Sequence, residues 1–258
     1  MKSVKGYIQR KSMLYQTGVE YGDYTMNHIQ GCAHGCLYPC YAFMLKKRFG
    51  IVKNYEAWIE PYLVSNTLDL LDHEIPRLRN KIESVQLCFS TDPFMFGYKE
   101  IEDMSVAAIR KLNAAGIKCT VLTKGILPEV LANLSPENEY GITIITLDED
   151  FRKKMEPYSA PLNERLMALK KLHERGCKTW VSIEPYPTPN MIEQDLSVIL
   201  EKLSFCDRII FGRTNYSKKV TEYKYHREFY NNCANTVMDF CKAEGISCHI
   251  KAKTIREK

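Results

Sequence analysis

From Val85 onward the chain alternates short runs rich in β-branched residues with longer stretches whose apolar residues recur at helical spacing. The pattern predicts strands over Val85–Ser90, Ile117–Thr123, Gly141–Leu147, Lys178–Ile183, Arg208–Gly212 and Ile246–Lys251, because β-branched and aromatic side chains suit a pleated surface. It predicts helices over Met104–Ala115, Pro128–Leu134, Glu164–Gly176, Met191–Leu203 and Arg227–Glu244, with Gly116 placed to cap the first. Upstream, Thr25–Gln30 reads as a first strand and Tyr41–Arg48 as a short helix. Its terminal Lys46, Lys47 and Arg48 complement the helix dipole. Ala57–Ile82 reads as a helix broken at Pro76. Strands alternating with helices imply parallel pairing through crossovers. The units are too few for an eight-fold barrel, so the expected fold is α/β, a partial (β/α)6-type TIM barrel of parallel strands with outer helices. Residues 1–258 form one domain in this reading: an irregular arm at 1–24, the barrel core at 25–213, and a C-terminal helix and last strand at 214–258.

Composition excludes some classes. Apolar residues make up 45% and charged residues 26% of the chain, as in ordinary globular proteins. No apolar run approaches membrane-spanning length. The basic first residues lack the apolar segment of a secretory signal. Ten cysteines without an extracellular pattern fit a reducing cytoplasm. A formal net charge of +5 tolerates a nucleic-acid partner without requiring one.

Three of those cysteines, Cys32, Cys36 and Cys40, fall within Gly31–Ala42, GCAHGCLYPCYA. Thiolates this close in a reduced protein point to metal binding. Soft sulfur ligands suit zinc or an iron–sulfur cluster. A structural zinc site closes with four ligands, and the only local fourth candidate is His34, awkwardly near Cys36. A cubane on three cysteines leaves one iron open to a small molecule, which fits the count better.

Residues 27–42, NHIQGCAHGCLYPCYA, resemble the cluster loop of radical S-adenosylmethionine (SAM) enzymes, in particular the spore photoproduct lyase-like branch. Asn27, Gly31, Cys32, His34, Gly35, Cys36, Tyr38, Cys40, Tyr41 and Ala42 match the branch pattern. The usual C-x3-C-x2-C spacing becomes C-x3-C-x3-C through Pro39, about 3.3–3.6 Å of extra reach that a loop can absorb. Arg10–Leu14 resembles an element that precedes the loop in the branch.

In a parallel barrel, functional residues gather at the C-terminal strand ends. The strand after the cysteines ends in Ser90-Thr91-Asp92-Pro93, which resembles the segment that holds the SAM amino group, although Asp-Pro is also a common turn. The next ends in Thr123-Lys124-Gly125, where Lys124 is either a carboxylate partner or solvated; Thr146 closes the following one. Glu156-Pro157, followed by Arg165 to Gly176, again resembles the branch and implies that Arg165 approaches the SAM carboxylate, a surface pair with Glu164 or Asp148 being the plainer reading. Glu184, Arg213 and Asn215 stand where substrate contacts fall. Cys88 shares a face with Ser90, as a hydrogen-atom donor or, more simply, a small core filler.

The resemblance implies a [4Fe-4S] cluster that reductively cleaves SAM to a 5′-deoxyadenosyl radical, which abstracts hydrogen from a substrate. Nucleic acid is one candidate, lyase-like chemistry one outcome, and a flavodoxin or ferredoxin the implied reductant. The basic, tyrosine-bearing stretch Asn215–Tyr230 reads as a nucleic-acid grip or as a solvated face. The rival class is a non-catalytic zinc or iron–sulfur scaffold; another keeps the radical chemistry but acts on a peptide or metabolite.

Overall fold

The computed structural model describes residues 2–19 and 22–255. Its strands are β1 (Gly6–Ile8), β2 (Leu14–Gln16), β3 (Tyr24–Met26), β4 (Ile29–Gln30), β5 (Tyr62–Val64), β6 (Ser84–Leu87), β7 (Lys118–Thr123), β8 (Glu139–Thr143), β9 (Lys178–Tyr186), β10 (Arg208–Arg213) and β11 (Ser247–Ile250). The main sheet has the order β11-β10-β9-β8-β7-β6-β3-β2. Every pair in it is parallel except β2 with β3. A small sheet, β1-β5-β4, flanks the cysteine loop. The α/β, largely parallel architecture expected from the alternation is present.

One cavity is lined both by Cys88 after β6 and by Lys251 after β11. In a flat sheet these positions would stand five strand spacings, about 24 Å, apart. The sheet therefore curls around a hollow, as a partial barrel does.

Register assigns the two faces. Val85, Cys119, Val121, Tyr140, Ile142, Val181, Ile183, Ile209 and Phe211 all belong to the main apolar cluster. Between them, Gln86 pairs with Thr25 and Thr120, Gly141 with Leu122 and Trp180, and Thr143 with Ser182. With a side-chain period of two these face the hollow. Helix Lys99–Ala114 covers the outer face with Ala108, Ile109 and Leu112, and helix Leu162–Glu174 with Leu169 and Leu172.

Several local expectations change. The strand expected over Gly141–Leu147 is β8, which ends at Thr143 and leaves Thr146 beyond it, and the helix expected over Pro128–Leu134 is a 3-10 turn over Glu129–Asn133. Residues expected as an irregular arm contribute β1 and β2, each too short to show a period. The run Thr25–Gln30 splits into β3 and β4, in different sheets, so the chain leaves the main sheet after Met26 and enters the cysteine loop from the small one. The stretch read as one helix over Ala57–Ile82 holds helix Tyr55–Trp58, then Pro61 and β5, then helix Thr67–Leu78, which runs past Pro76 to end two residues later. The helix expected from Met191 begins at Leu196, where Asp195 accepts a hydrogen bond from the Ser197 amide (2.8 Å).

Candidate active site

The cysteine loop is fixed by its backbone before any ligand is considered. Gly31 has φ +87°, and an added Cβ would lie 2.8 Å from the Trp58 carbonyl oxygen, so only glycine fits. The Cys32 amide donates to that same carbonyl (2.8 Å), and the Leu37 amide to the Met155 carbonyl (2.8 Å). Tyr55 donates its hydroxyl to the Gly35 carbonyl (2.6 Å). Cys40 stands at the N-terminus of helix Tyr41–Arg48 without a side-chain capping bond. Cys32, Cys36 and Cys40 are free thiols, half-buried, and all line one cavity of about 550 Å³ at the C-terminal strand ends. Burial pushes the Cys36 thiol up to about 12, with Lys124 opposing. Burial, then Asp92 and the neighbouring thiols, raise Cys32 as well. Thiolates there need positive charge, which a bound metal would supply.

His34 is not a free ligand. Its Nε2 accepts from the Phe96 amide (3.1 Å), and its Nδ1 lies 3.2 Å from Asp92 Oδ2. The Nε2 bond thus ties the loop to the segment after β6, with the Asp92 carboxylate facing Nδ1. Among the described residues no three His, Cys, Asp or Glu side chains gather closely enough to hold a single ion.

Asp92 is the hub of that segment. It accepts from Thr123 Oγ1 (2.6 Å), the Lys124 amide (2.8 Å) and the Phe94 amide (2.9 Å). Burial acts to raise its pKa, but His34 and these hydrogen bonds outweigh it and hold the carboxyl below its ordinary value. Ser90 donates from both Oγ (3.0 Å) and its amide (3.2 Å) to Asn27 Oδ1. Thr91 Oγ1 is buried without a hydrogen-bond partner, in the wall of the cavity.

Cys88 has φ +58°, rare for a residue with a side chain. Its Sγ lies 3.5 Å from His28 Nδ1. Ser105 donates to the Pro93 carbonyl (2.5 Å), so His28 Nε2, 2.8 Å from Ser105 Oγ, carries the ring proton and Nδ1 is left to accept from the thiol. Burial drives His28 down to about 3, keeping the ring neutral.

Lys124 reaches the cavity from the end of β7, with Nζ 3.8 Å from Glu156 Oε1 and 5.5 Å from the centroid of Tyr38. Burial opposes its charge, but Glu156 and Cys36 outweigh that and raise its pKa. Tyr38 donates to Glu156 Oε1 (2.7 Å). Arg165, fully buried, donates to Glu156 Oε2 (2.8 Å), Thr143 O (3.0 Å), Ala160 O (2.8 Å) and the Ser159 hydroxyl.

The structure therefore gathers Cys32, Cys36, Cys40, Ser90, Thr91, Asp92 and Lys124 on one cavity. Arg165 sits behind it, gripping a protein carboxylate. Thr146 accepts from the Asp148 amide (3.0 Å) and lines a separate cavity of about 190 Å³. Sequence reasoning missed the Tyr38–Glu156–Arg165 chain. The signal was present, since Glu156 stands nine residues before Arg165 and was read only as part of a motif.

A sequence model described as the Radical SAM superfamily matches residues 26–203. The chain belongs to that superfamily. Membership implies a [4Fe-4S] cluster and SAM, and radical SAM catalysis. The uncharacterized protein ORF301 of Acidianus two-tailed virus is 28% identical over 197 residues, 72% of this chain and 64% of that protein, so the match spans under two thirds of the viral relative. The uncharacterized protein MJ0683 of Methanocaldococcus jannaschii is 26% identical over 227 residues, 86% of this chain and 81% of that one. Among solved structures, a spore photoproduct lyase double mutant with bound AdoMet and dinucleoside spore photoproduct shares the fold, with TM-score 0.68 and 13% identity over 95% of this chain and 80% of that chain. Streptococcus suis SuiB bound to S-adenosylmethionine superposes with TM-score 0.50 and 17% identity over 69% of this chain and 39% of that chain. Among the described residues no helix is long and apolar enough to cross a membrane.

Proposed function

We propose that Cys32, Cys36 and Cys40 hold a [4Fe-4S] cluster and that the enzyme uses SAM on a nucleic-acid substrate, in a single domain working in the cytoplasm. The observation that carries the reading is one cavity shared by these free thiols, an unpartnered buried hydroxyl at Thr91 and the Lys124 ammonium. When bound, the cluster and SAM supply one-electron reduction and a carbon-centred radical. The residues do the rest. Lys124, held charged by Glu156, meets the SAM carboxylate. Ser90 and Thr91, set by Asn27 and the strand end, accept from its ammonium, and Asp92 lends negative charge while bracing the loop. Arg165 acts from behind, by fixing Glu156 and through it Lys124 and Tyr38, while Thr146, on a separate cavity, takes no part. Cys88 lines the same cavity, its thiol aligned by His28.

Nucleic acid as substrate is supported by the fold shared with a lyase crystallised with a dinucleoside photoproduct. Docking of an acidic reductant, a flavodoxin or ferredoxin, is supported by helix Tyr41–Arg48, which starts directly after Cys40, buries no residue and carries Lys46, Lys47 and Arg48 in its last turn. The test is anaerobic cluster reconstitution followed by SAM and a strong reductant. The wild type should release 5′-deoxyadenosine and Cys36→Ala should release none. Equal behaviour of the two proteins, or colourless zinc-loaded protein, would point to the scaffold reading instead.

A further inference from the structure

Closed parallel barrels fill their interior with bulky branched side chains. This hollow is different. The strand positions that face it include Gln86, Thr143 and Ser182, with Leu122 and Trp180 as its large apolar members. Gly141 makes room for Trp180, since a Cβ there would run into the indole.

Gln86 is the informative residue. It is 2% exposed and lines the cavity, yet its Oε1 has no hydrogen-bond partner. Its amide orientation is fixed by chemistry: Nε2 donates to the Leu87 carbonyl (3.2 Å), which can only accept, so the oxygen is the idle end. A buried acceptor without a donor is costly, and a ligand N–H or O–H would satisfy it. At this depth the charges are already neutralised, Arg208 being paired with Glu139 (2.8 Å) below Trp180. Charge returns at the strand ends, where Lys251 stands 3.2 Å from Glu184 and Arg213 lines the same cavity as Lys124 and Asp92.

We infer that Gln86 is a specificity-determining residue, accepting a hydrogen bond from the ring N–H of a neutral nucleobase lodged in the hollow while the anionic backbone stays at the Arg213 and Lys251 rim. This rests on the nucleic-acid reading above and deepens it. A neutral inner chamber with one idle acceptor suits an uncharged heterocycle, and the cationic rim suits the phosphodiester attached to it.

The test uses the full-length, cluster-reconstituted protein without reductant, and two probes: thymidylyl-thymidine and the same dinucleotide methylated at both ring N3 positions. Calorimetric titration should show the unmethylated probe binding wild type about tenfold more tightly. Gln86→Leu should bind both probes alike. The wild-type comparison stands even if the variant folds poorly. Equal binding of both probes by wild type overturns the inference, as does a preference retained by Gln86→Leu, or tighter binding of an uncharged acetylated peptide amide than of the dinucleotide. Release of 5′-deoxyadenosine from SAM by the wild type, assayed separately with reductant, reports the radical chemistry on its own, so failure of that chemistry and failure of base recognition give different results.

Discussion

On the outer face of β6 to β9, Val85, Leu87, Val121, Ile142, Val181 and Ile183 pack under the helices. One residue away along the same strands, Gln86, Thr143 and Ser182 face the hollow. The two faces share a backbone and a register, yet one is dry and apolar while the other is polar and lines a cavity. The difference separates tasks. Burial on the outer face supplies most of the folding free energy, which leaves the inner face free to keep groups such as Gln86 Oε1 and Thr91 Oγ1 without partners. The site residues then occupy the ends of these strands.

The comparison can be broken most severely at the charged pair buried behind the cavity. Arg165 and Glu156 are a fully buried pair, and removing one partner of such a pair costs about 3–5 kcal/mol. Denaturant unfolding of Arg165→Ala should show a loss of that size; a loss under about 1 kcal/mol would mean that water reaches Glu156. Adjacent residues on opposite faces come next. Ile142→Ala should cost about 2–5 kcal/mol, while Thr143→Ala should stay within about 1 kcal/mol. Equal losses would erase the distinction between the faces. Gly141→Ala overfills the contact with Trp180, for an expected cost of about 1–3 kcal/mol and a shift in tryptophan fluorescence. The smallest effect concerns pH. Asp92 has its folded pKa held below the ordinary 3.8, so its stabilisation is complete above that value and is lost as pH falls through the lower folded one. Asp92→Asn should therefore flatten the acid limb of a stability profile below about pH 4 and shift the neutral region by a constant amount.

How much of this could be read in the chain follows from the same two faces. The strands from Val85 onward were legible because their outer residues are β-branched, and the site was legible where chemistry is concentrated, as in Cys32, Cys36 and Cys40. Asp92 was legible as a polar strand-end residue, but its bonds to Thr123, Lys124 and His34 were not, since they join segments more than thirty residues apart in sequence. Arg165 was expected to face a ligand carboxylate. The structure gives it Glu156, because the turn after helix Glu149–Met155 folds that carboxylate back under the next helix. The inner row escaped notice because Gln86, Thr143 and Ser182 belong to three different strands, and only register brings them together.

The central claim, that three protein sulfurs hold a cluster with one iron left for SAM, is met most directly by electron paramagnetic resonance of the reduced, reconstituted protein before and after SAM is added. The account predicts about four irons per chain and a spectrum that changes on adding SAM. A spectrum indifferent to SAM, or a chain that retains a single zinc ion, would contradict it.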